Sequence, residues 1–151
     1  MKQGNAIYFA YGSNLHQHQM KKRCPGSVPL MRVKLEDYQL VFNRVATIEP
    51  ASGKTVWGAL YQVTPTDIRE LDKYEGYPQL YRKETVMLED DQGQFHEAFV
   101  YLLNREGQQP PPEHYFKTIE AGFNHWKLPT APLDDAYDRS FVERINDKKG
   151  E

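Results

Sequence analysis

Glu75 is the residue whose position is hardest to explain by folding alone. The stretch Pro65 to Glu75 reads as a helix: Thr64 is its cap, Pro65 suits the first helical position, Asp67 stands three residues after the cap, and Gly76 stops it. Steps of three and four bring Ile68, Leu71, Asp72 and Glu75 onto one face. The stripe that must turn inward therefore ends in a carboxylic acid. That acid lies in the last turn, where the helix dipole favours a cation, so burial and dipole both raise its pKa toward the range of a general acid/base. A group that breaks the local rule is a candidate for function. The structural alternative is an interior ion pair with Arg82 or Arg44, or fraying of the helix end. The neighbouring Tyr74, Tyr77 and Tyr81 favour a lined pocket over solvent.

A second candidate is Tyr11-Gly12-Ser13-Asn14, directly after the apolar run Asn5 to Tyr11. A glycine-bearing turn that leads into a helix leaves backbone N–H groups unpaired and convergent, which suits a carboxylate or a developing oxyanion. Its structural alternative is a plain cap, with Ser13 and Asn14 offering N-cap side chains. Ser13 lacks the G-x-S-x-G setting of a nucleophile elbow, and no base is assigned to it.

The other polar residues carry less. His16 and His18 stand two apart and fall on different helix faces, and His96 and Glu97 point to opposite faces of a strand. His114 and His125, eleven apart, could share a helix face, an exposed one on the simplest reading. No metal site is expected from such spacings. Cys24 is the single cysteine, which excludes an internal disulfide and a thiolate cluster, and beside Pro25-Gly26 it belongs to a turn rather than to a catalytic site.

The elements that must position these groups follow from periodicity. Asn5 to Tyr11 is a strand covered on both faces, and Leu15 to Arg23 a short helix. Met31 to Leu35 and Tyr38 to Phe42 read as two strands broken at Glu36-Asp37; Thr47 to Lys54, with Pro50 and Ser52-Gly53, reads as a loop. Thr55 to Val63 is a strand whose internal Gly58 suggests a bulge or close backbone approach. Tyr81 to Glu89 and Gln94 to Leu103 flank a hairpin turn at Asp90 to Gly93, and Asn104 to Pro112 is a loop. Tyr115, Ile119, Phe123 and Trp126 then recur at helical spacing, as do Leu133, Tyr137, Phe141 and Ile145. Six or so strands with helices between and after them predict one mixed α+β domain over 1–151, a curved sheet or small barrel with flanking helices.

Composition narrows the partners. With 151 residues, 39% hydrophobic and 13% aromatic, the chain can close one core without metal or disulfide. Its 19 basic against 21 acidic residues, net charge -2, argue against an electrostatic grip on nucleic acid or anionic lipid, even with ten tyrosines. No apolar run reaches the ~20 residues of a membrane span, and the start of the chain enters a strand instead of a signal-peptide pattern. A cytoplasmic protein with a small-molecule partner is expected.

Phe9-Ala10-Tyr11-Gly12-Ser13-Asn14-Leu15, Val56-Trp57-Gly58, Leu71-Asp72-Lys73-Tyr74-Glu75-Gly76 and Pro111-Pro112-Glu113-His114-Tyr115 stand in the order seen in γ-glutamylcyclotransferases. The chain resembles that family and its AIG2-like relatives over roughly residues 7 to 133. The resemblance implies a cofactor-free, barrel-like α+β fold, dimeric in many members. It further implies γ-glutamyl binding by Tyr8, Phe9, Ala10, Tyr11, Gly12, Ser13 and Tyr115, and acid/base catalysis by Glu75, giving 5-oxoproline and a free amine. Asn14-Leu15 departs from the glutathione-specific relatives, and Tyr74 to Pro78 with Tyr81-Arg82 also looks like relatives acting on γ-glutamylamines and γ-glutamyl-protected antibiotic precursors. Two alternatives stay open: a non-catalytic module binding a γ-glutamyl-like ligand, and an amide hydrolase using Glu75 to activate water.

Overall fold

The computed structural model describes the backbone of residues 4–149 and side chains as far as 141. Five strands carry the fold: β1 (Ala6–Ala10), β2 (Val28–Asn43), β3 (Val45–Val63), β4 (Tyr81–Glu89) and β5 (Phe95–Leu103). Four helices join them: α1 (Gln17–Arg23), α2 (Pro65–Glu75), α3 (Glu113–His125) and α4 (Ala131–Lys149). The strands close a barrel in the order β1-β3-β2-β4-β5, antiparallel except where β1 meets β5 in parallel at Tyr8 and Phe99. The α+β class and the small-barrel expectation agree with this architecture. Among the described residues no helix is long and apolar enough to cross a membrane.

Two strand expectations are corrected. Met31 to Leu35 and Tyr38 to Phe42 are one strand, β2, because Asp37 takes a left-handed φ of 64° and absorbs the irregularity as a bulge while pairing resumes beyond it. Thr47 to Lys54 is not a loop. Residues 47 to 50 pair with 41 to 38, and the breakers expected to end the strand mark only the register shift in which 51–54 stand opposite Asp37. Burial holds the start of this stretch in the strand, where Ala46, Thr47 and Ile48 are all buried, while Pro50 and Ser52-Gly53 are exposed. The barrel accordingly has five strands rather than six, two of them long enough to wrap it.

Close approach between elements explains two glycines. A side chain at Gly58 would collide with the Ala10 carbonyl of the paired strand, which is the backbone contact expected from its place in β3. A Cβ at Gly122 would lie 2.6 Å from that of Leu15, so α3 can press directly on the turn after β1. Trp126 completes that seat by donating from Nε1 to the Leu15 carbonyl at 3.0 Å. The core behind it includes Phe9, Leu15, Met20, Leu60, Leu71, Ile119 and Phe123.

In the last helix Leu133 is buried and Tyr137 half-buried, but Phe141 is exposed. Ala136 and Ser140 take the inward positions beside them. The side chain of Ile145 lies outside the described residues.

Candidate active site

Helix α2 is built as its sequence predicts. Thr64 accepts from the Asp67 N–H at 3.1 Å and Asp67 returns the bond by accepting from Thr64 N–H at 3.0 Å, a complete capping box. At the other end Gly76, with φ 64°, stops the helix and its N–H donates to Lys73. Leu71 is buried and Ile68 half-buried, which turns Asp72 and Glu75 toward the barrel. Asp72 is committed: it accepts from Tyr101 Oη at 2.6 Å and pairs with Lys83 at 2.8 Å.

Glu75 is not committed. It lines a cavity of about 240 Å³ together with Tyr8, Tyr11, Ser13, Tyr74, Tyr101 and Tyr115, the wall being completed by Gly12, Asn14, Val45, Ala46, Leu80 and Tyr81. Neither Arg82 nor Arg44 pairs with it: Arg82 bonds Glu84 and the 103–104 backbone and side chain, and Arg44 lies at the tip of the β2–β3 hairpin. Among the described residues Glu75 has no ion-pair or hydrogen-bond partner. Burial raises its carboxyl to about 7, against the opposing pull of the Arg23 guanidinium.

Each tyrosine hydroxyl around it makes one hydrogen bond within the protein, and Tyr8 and Tyr115, which accept theirs, keep an O–H to donate. Tyr11 donates to the Tyr101 carbonyl at 2.6 Å and Tyr81 to the Ala46 carbonyl at 2.7 Å, while Tyr115 accepts from the Ala46 N–H at 2.9 Å. Tyr8 accepts from Asn14 Nδ2 at 3.0 Å, and Ser13 Oγ and Tyr74 Oη share a bond of 3.0 Å. Burial pushes Tyr8, Tyr11, Tyr81, Tyr101 and Tyr115 well above the ordinary phenol range, so all five are neutral hydrogen-bonding groups near pH 7. Glu75 is the lining group poised to exchange a proton there.

The turn after β1 faces the same cavity. It is a single 3-10 turn, Ser13–Leu15, closed by Leu15 N–H to Gly12 O and His16 N–H to Ser13 O. The N–H groups of Gly12, Ser13 and Asn14 donate to no protein group among the described residues, which leaves three donors at the cavity wall. Ser13 and Asn14 do not cap the following helix, contrary to the expected alternative; His16 Nδ1 takes that place by accepting from Gln19 N–H at 3.2 Å. Released from capping, both side chains turn to the pocket.

Most of the residues singled out from sequence meet here, and some do not. Tyr8, Tyr11, Gly12, Ser13, Glu75 and Tyr115 share the cavity, whereas Phe9 and Ala10 are fully buried behind it and line no part of it. Tyr77 is exposed outside, near Lys83. Cys24 is buried, its Sγ near the Asp67 carbonyl and its thiol pushed up to about 12 by burial, which leaves it a poor nucleophile. His114 and His125 are both exposed. Sequence reasoning missed Asn14 and Tyr101 as lining residues. The first was read as a cap, and the second reaches the site through the β1–β5 closure, for which the chain has no local signal.

Comparison with known proteins identifies the family and the fold. The family model described as gamma-glutamyl cyclotransferase, AIG2-like, matches residues 8–122. Gamma-glutamylcyclotransferase of Bos taurus is 29% identical over 136 residues, covering 82% of this chain and 72% of its own length. The Homo sapiens protein of the same name is 28% identical, with 96% and 89% covered. A solved structure named gamma-glutamyl cyclotransferase superposes with a TM-score of 0.80 at 26% identity, over 87% of this chain and 86% of that one.

Proposed function

The chain belongs to the gamma-glutamyl cyclotransferase, AIG2-like family, and from that premise we propose that it converts a γ-glutamyl amide to 5-oxoproline and a free amine, with Glu75 moving the protons. The observation that carries this reading is the unpartnered Glu75 carboxyl, raised to about 7, in one cavity with three free N–H groups of the Gly12–Asn14 turn.

The chemistry needs no protein nucleophile. A γ-glutamyl group brings its own, the α-amino nitrogen, whose attack on the γ-carbonyl carbon forms the lactam C–N bond and, as the tetrahedral adduct collapses, breaks the C–N bond to the leaving amine. Glu75 takes a proton from the α-ammonium to free the lone pair and passes it to the departing nitrogen; the second proton, lost by the α-nitrogen once the lactam C–N bond has formed, follows the same route, so the amine leaves as an ammonium and the carboxylate is regenerated. A pKa near 7 serves both halves of that exchange. Holding the chain curled in a near-attack conformer supplies part of the barrier reduction, up to roughly 7 to 11 kcal/mol for well-oriented intramolecular reactions. The turn N–H groups suit the substrate's α-carboxylate or the oxyanion on the γ-carbonyl.

Size and lining support a small acyl group. A cavity of about 240 Å³ lies below the usual range of drug-sized ligand sites and fits a glutamyl group with its amine directed out past exposed Tyr74 and Leu80. Tyrosine rings on most sides favour cyclisation over hydrolysis by limiting water at the reacting carbon.

The test is the product. Incubation of γ-glutamyl amino acids, γ-glutamylamines and glutathione in ¹⁸O-water should release 5-oxoproline without solvent oxygen, and substrates with an acylated α-amine should be inert. Labelled glutamate as the primary product would make Glu75 a hydrolase base, and binding without turnover would make the protein a ligand-binding module.

A further inference from the structure

Helix α1 ends in three consecutive basic residues that are not equivalent. Lys22 is exposed and Lys21 bonds the Ser27 carbonyl at 3.2 Å, but Arg23 is turned inward, where its guanidinium carbon sits 3.4 Å from the centroid of the Tyr74 ring. Its Nη1 donates to Asn14 Oδ1. Among the described residues no carboxylate lies within ion-pair distance of it. Arg23 is not part of the cavity wall, yet both groups it touches are.

We propose that Arg23 is a positioning residue for this site: it ties the turn after β1 to the end of α2 and so fixes the mouth through which the γ-glutamyl substrate is held. The inference rests on the cyclotransferase reading above. Two connections cross that gap. Asn14 and Tyr74 are bridged by the guanidinium, and Ser13 and Tyr74 by their shared 3.0 Å bond; Asn14 in turn holds Tyr8 at 3.0 Å. An arginine suits this task because its planar group stacks on an aromatic face and donates in plane at once, which a lysine ammonium does not.

The fold aims Arg23 at the gap from a fixed base. The residues after α1 are pinned to the start of α2, with Gly26 N–H donating to Asp67 Oδ1 at 3.1 Å and Cys24 Sγ near the Asp67 carbonyl. The segment from Arg23 to Gly26 is therefore pinned at the N-terminal cap of α2, while the Arg23 side chain reaches Tyr74 in the last turn of that helix. The last turn of a helix is also where a cation is favoured.

Charge gives the inference a second readout. The groups facing Glu75 are Tyr8 from β1, Tyr11 from the turn after it, Tyr81 from β4, Tyr101 from β5, Tyr115 from α3, Tyr74 on its own helix and Arg23 from α1; Asp72, one turn back, is already paired with Lys83 and Tyr101. Arg23 is the one cation among them and draws the Glu75 pKa down, so its removal moves the acidic limb of kcat/KM to higher pH.

Kinetics of wild type, Arg23→Gln and Arg23→Lys, with one γ-glutamyl amino acid and one γ-glutamylamine, test both roles. Arg23→Gln should raise KM roughly tenfold, the worth of one charge-assisted bond, and shift the acidic limb upward. Arg23→Lys should bring the limb back toward wild type while KM stays high, because the charge returns and the planar clamp does not. An unchanged KM and limb in an active, folded Arg23→Gln protein overturns the proposal alone, as does complete rescue of KM by lysine. A wild type that cyclises neither substrate removes the reading underneath and this proposal with it.

Discussion

Helix α2 carries an inward carboxylate at each end, and the two have opposite surroundings. Asp67, 1% exposed, accepts from the Thr64 N–H at 3.0 Å and the Gly26 N–H at 3.1 Å, at the helix terminus whose dipole favours an anion. Glu75, eleven residues after the capping Thr64 and at the terminus that disfavours an anion, meets tyrosines none of which bonds it among the described residues, and burial lifts it to about 7. A buried acid whose acceptors are filled by fixed N–H groups is part of the scaffold. One left unfilled in a cavity costs stability and is available for chemistry.

Substitution should separate the two roles. Glu75→Gln is expected to lower turnover by about two to four orders of magnitude, the range of a positioned acid/base, with the fold kept. Steady-state kinetics on the purified, folded variant checks this, and near-normal turnover would erase the contrast. Asp67→Ala should do the reverse. Loss of the cap and of two charge-assisted bonds should cost about 2 to 4 kcal/mol in denaturant unfolding, while kcat of the folded protein stays near wild type.

The pH dependence of stability sharpens the same comparison. The Glu75 pKa is raised on folding, from an ordinary value of 4.5 to about 7, so the folded state holds a proton that the unfolded state releases. Its contribution is fully favourable below about pH 4.5 and is lost as pH rises through about 7. Glu75→Gln, which cannot ionise, should therefore be more stable than wild type above pH 8 by about 1 to 3 kcal/mol, and closely similar near pH 4. Equal stability of the two proteins at both pH values would mean that Glu75 is as well solvated in the fold as Asp67 is well bonded.

Both ends of α2 were legible in the sequence because helix signals are local. Thr64-Pro65-Thr66-Asp67 specifies a cap within four residues, and the three/four spacing from Ile68 to Glu75 places the acid on the inward face. The turn after β1 was legible in position but not in side-chain use, since whether Ser13 and Asn14 cap a helix or face a pocket depends on Tyr74 and Tyr8, distant or off-register in the chain. Strand boundaries failed where pairing of the two long strands continues past breakers, at Asp37 and Pro50, both of them exposed. Tyr101 could not be assigned because β1 and β5 meet only when the barrel closes. Nothing local in Lys21-Lys22-Arg23 singles out the arginine; its stacking on Tyr74 and its bond to Asn14 do.

The smallest expected effect belongs to Tyr115, whose role lies between the scaffold of Asp67 and the chemistry of Glu75. Its hydroxyl accepts from the Ala46 N–H at 2.9 Å, and the carbonyl of the same residue accepts from Tyr81 at 2.7 Å, so two tyrosines grip one residue's backbone from both sides. Ala46 is part of the cavity wall, where a Cβ at Gly12 would come within 3.3 Å of its own. Tyr115→Phe leaves that N–H without its acceptor, a loss of about 1 kcal/mol, and slackens the wall against which the Gly12–Asn14 turn is set. Substrate should then bind a few-fold more weakly while kcat, assigned to Glu75 in the proposed mechanism, changes little. Tyr81→Phe removes the other grip and should raise KM in the same direction, the double variant adding less than the sum because both act on one residue's backbone. If Tyr115→Phe instead lowers stability by more than about 2 kcal/mol with KM unchanged, Tyr115 belongs with Asp67, as a bond that holds the fold and leaves the reaction alone.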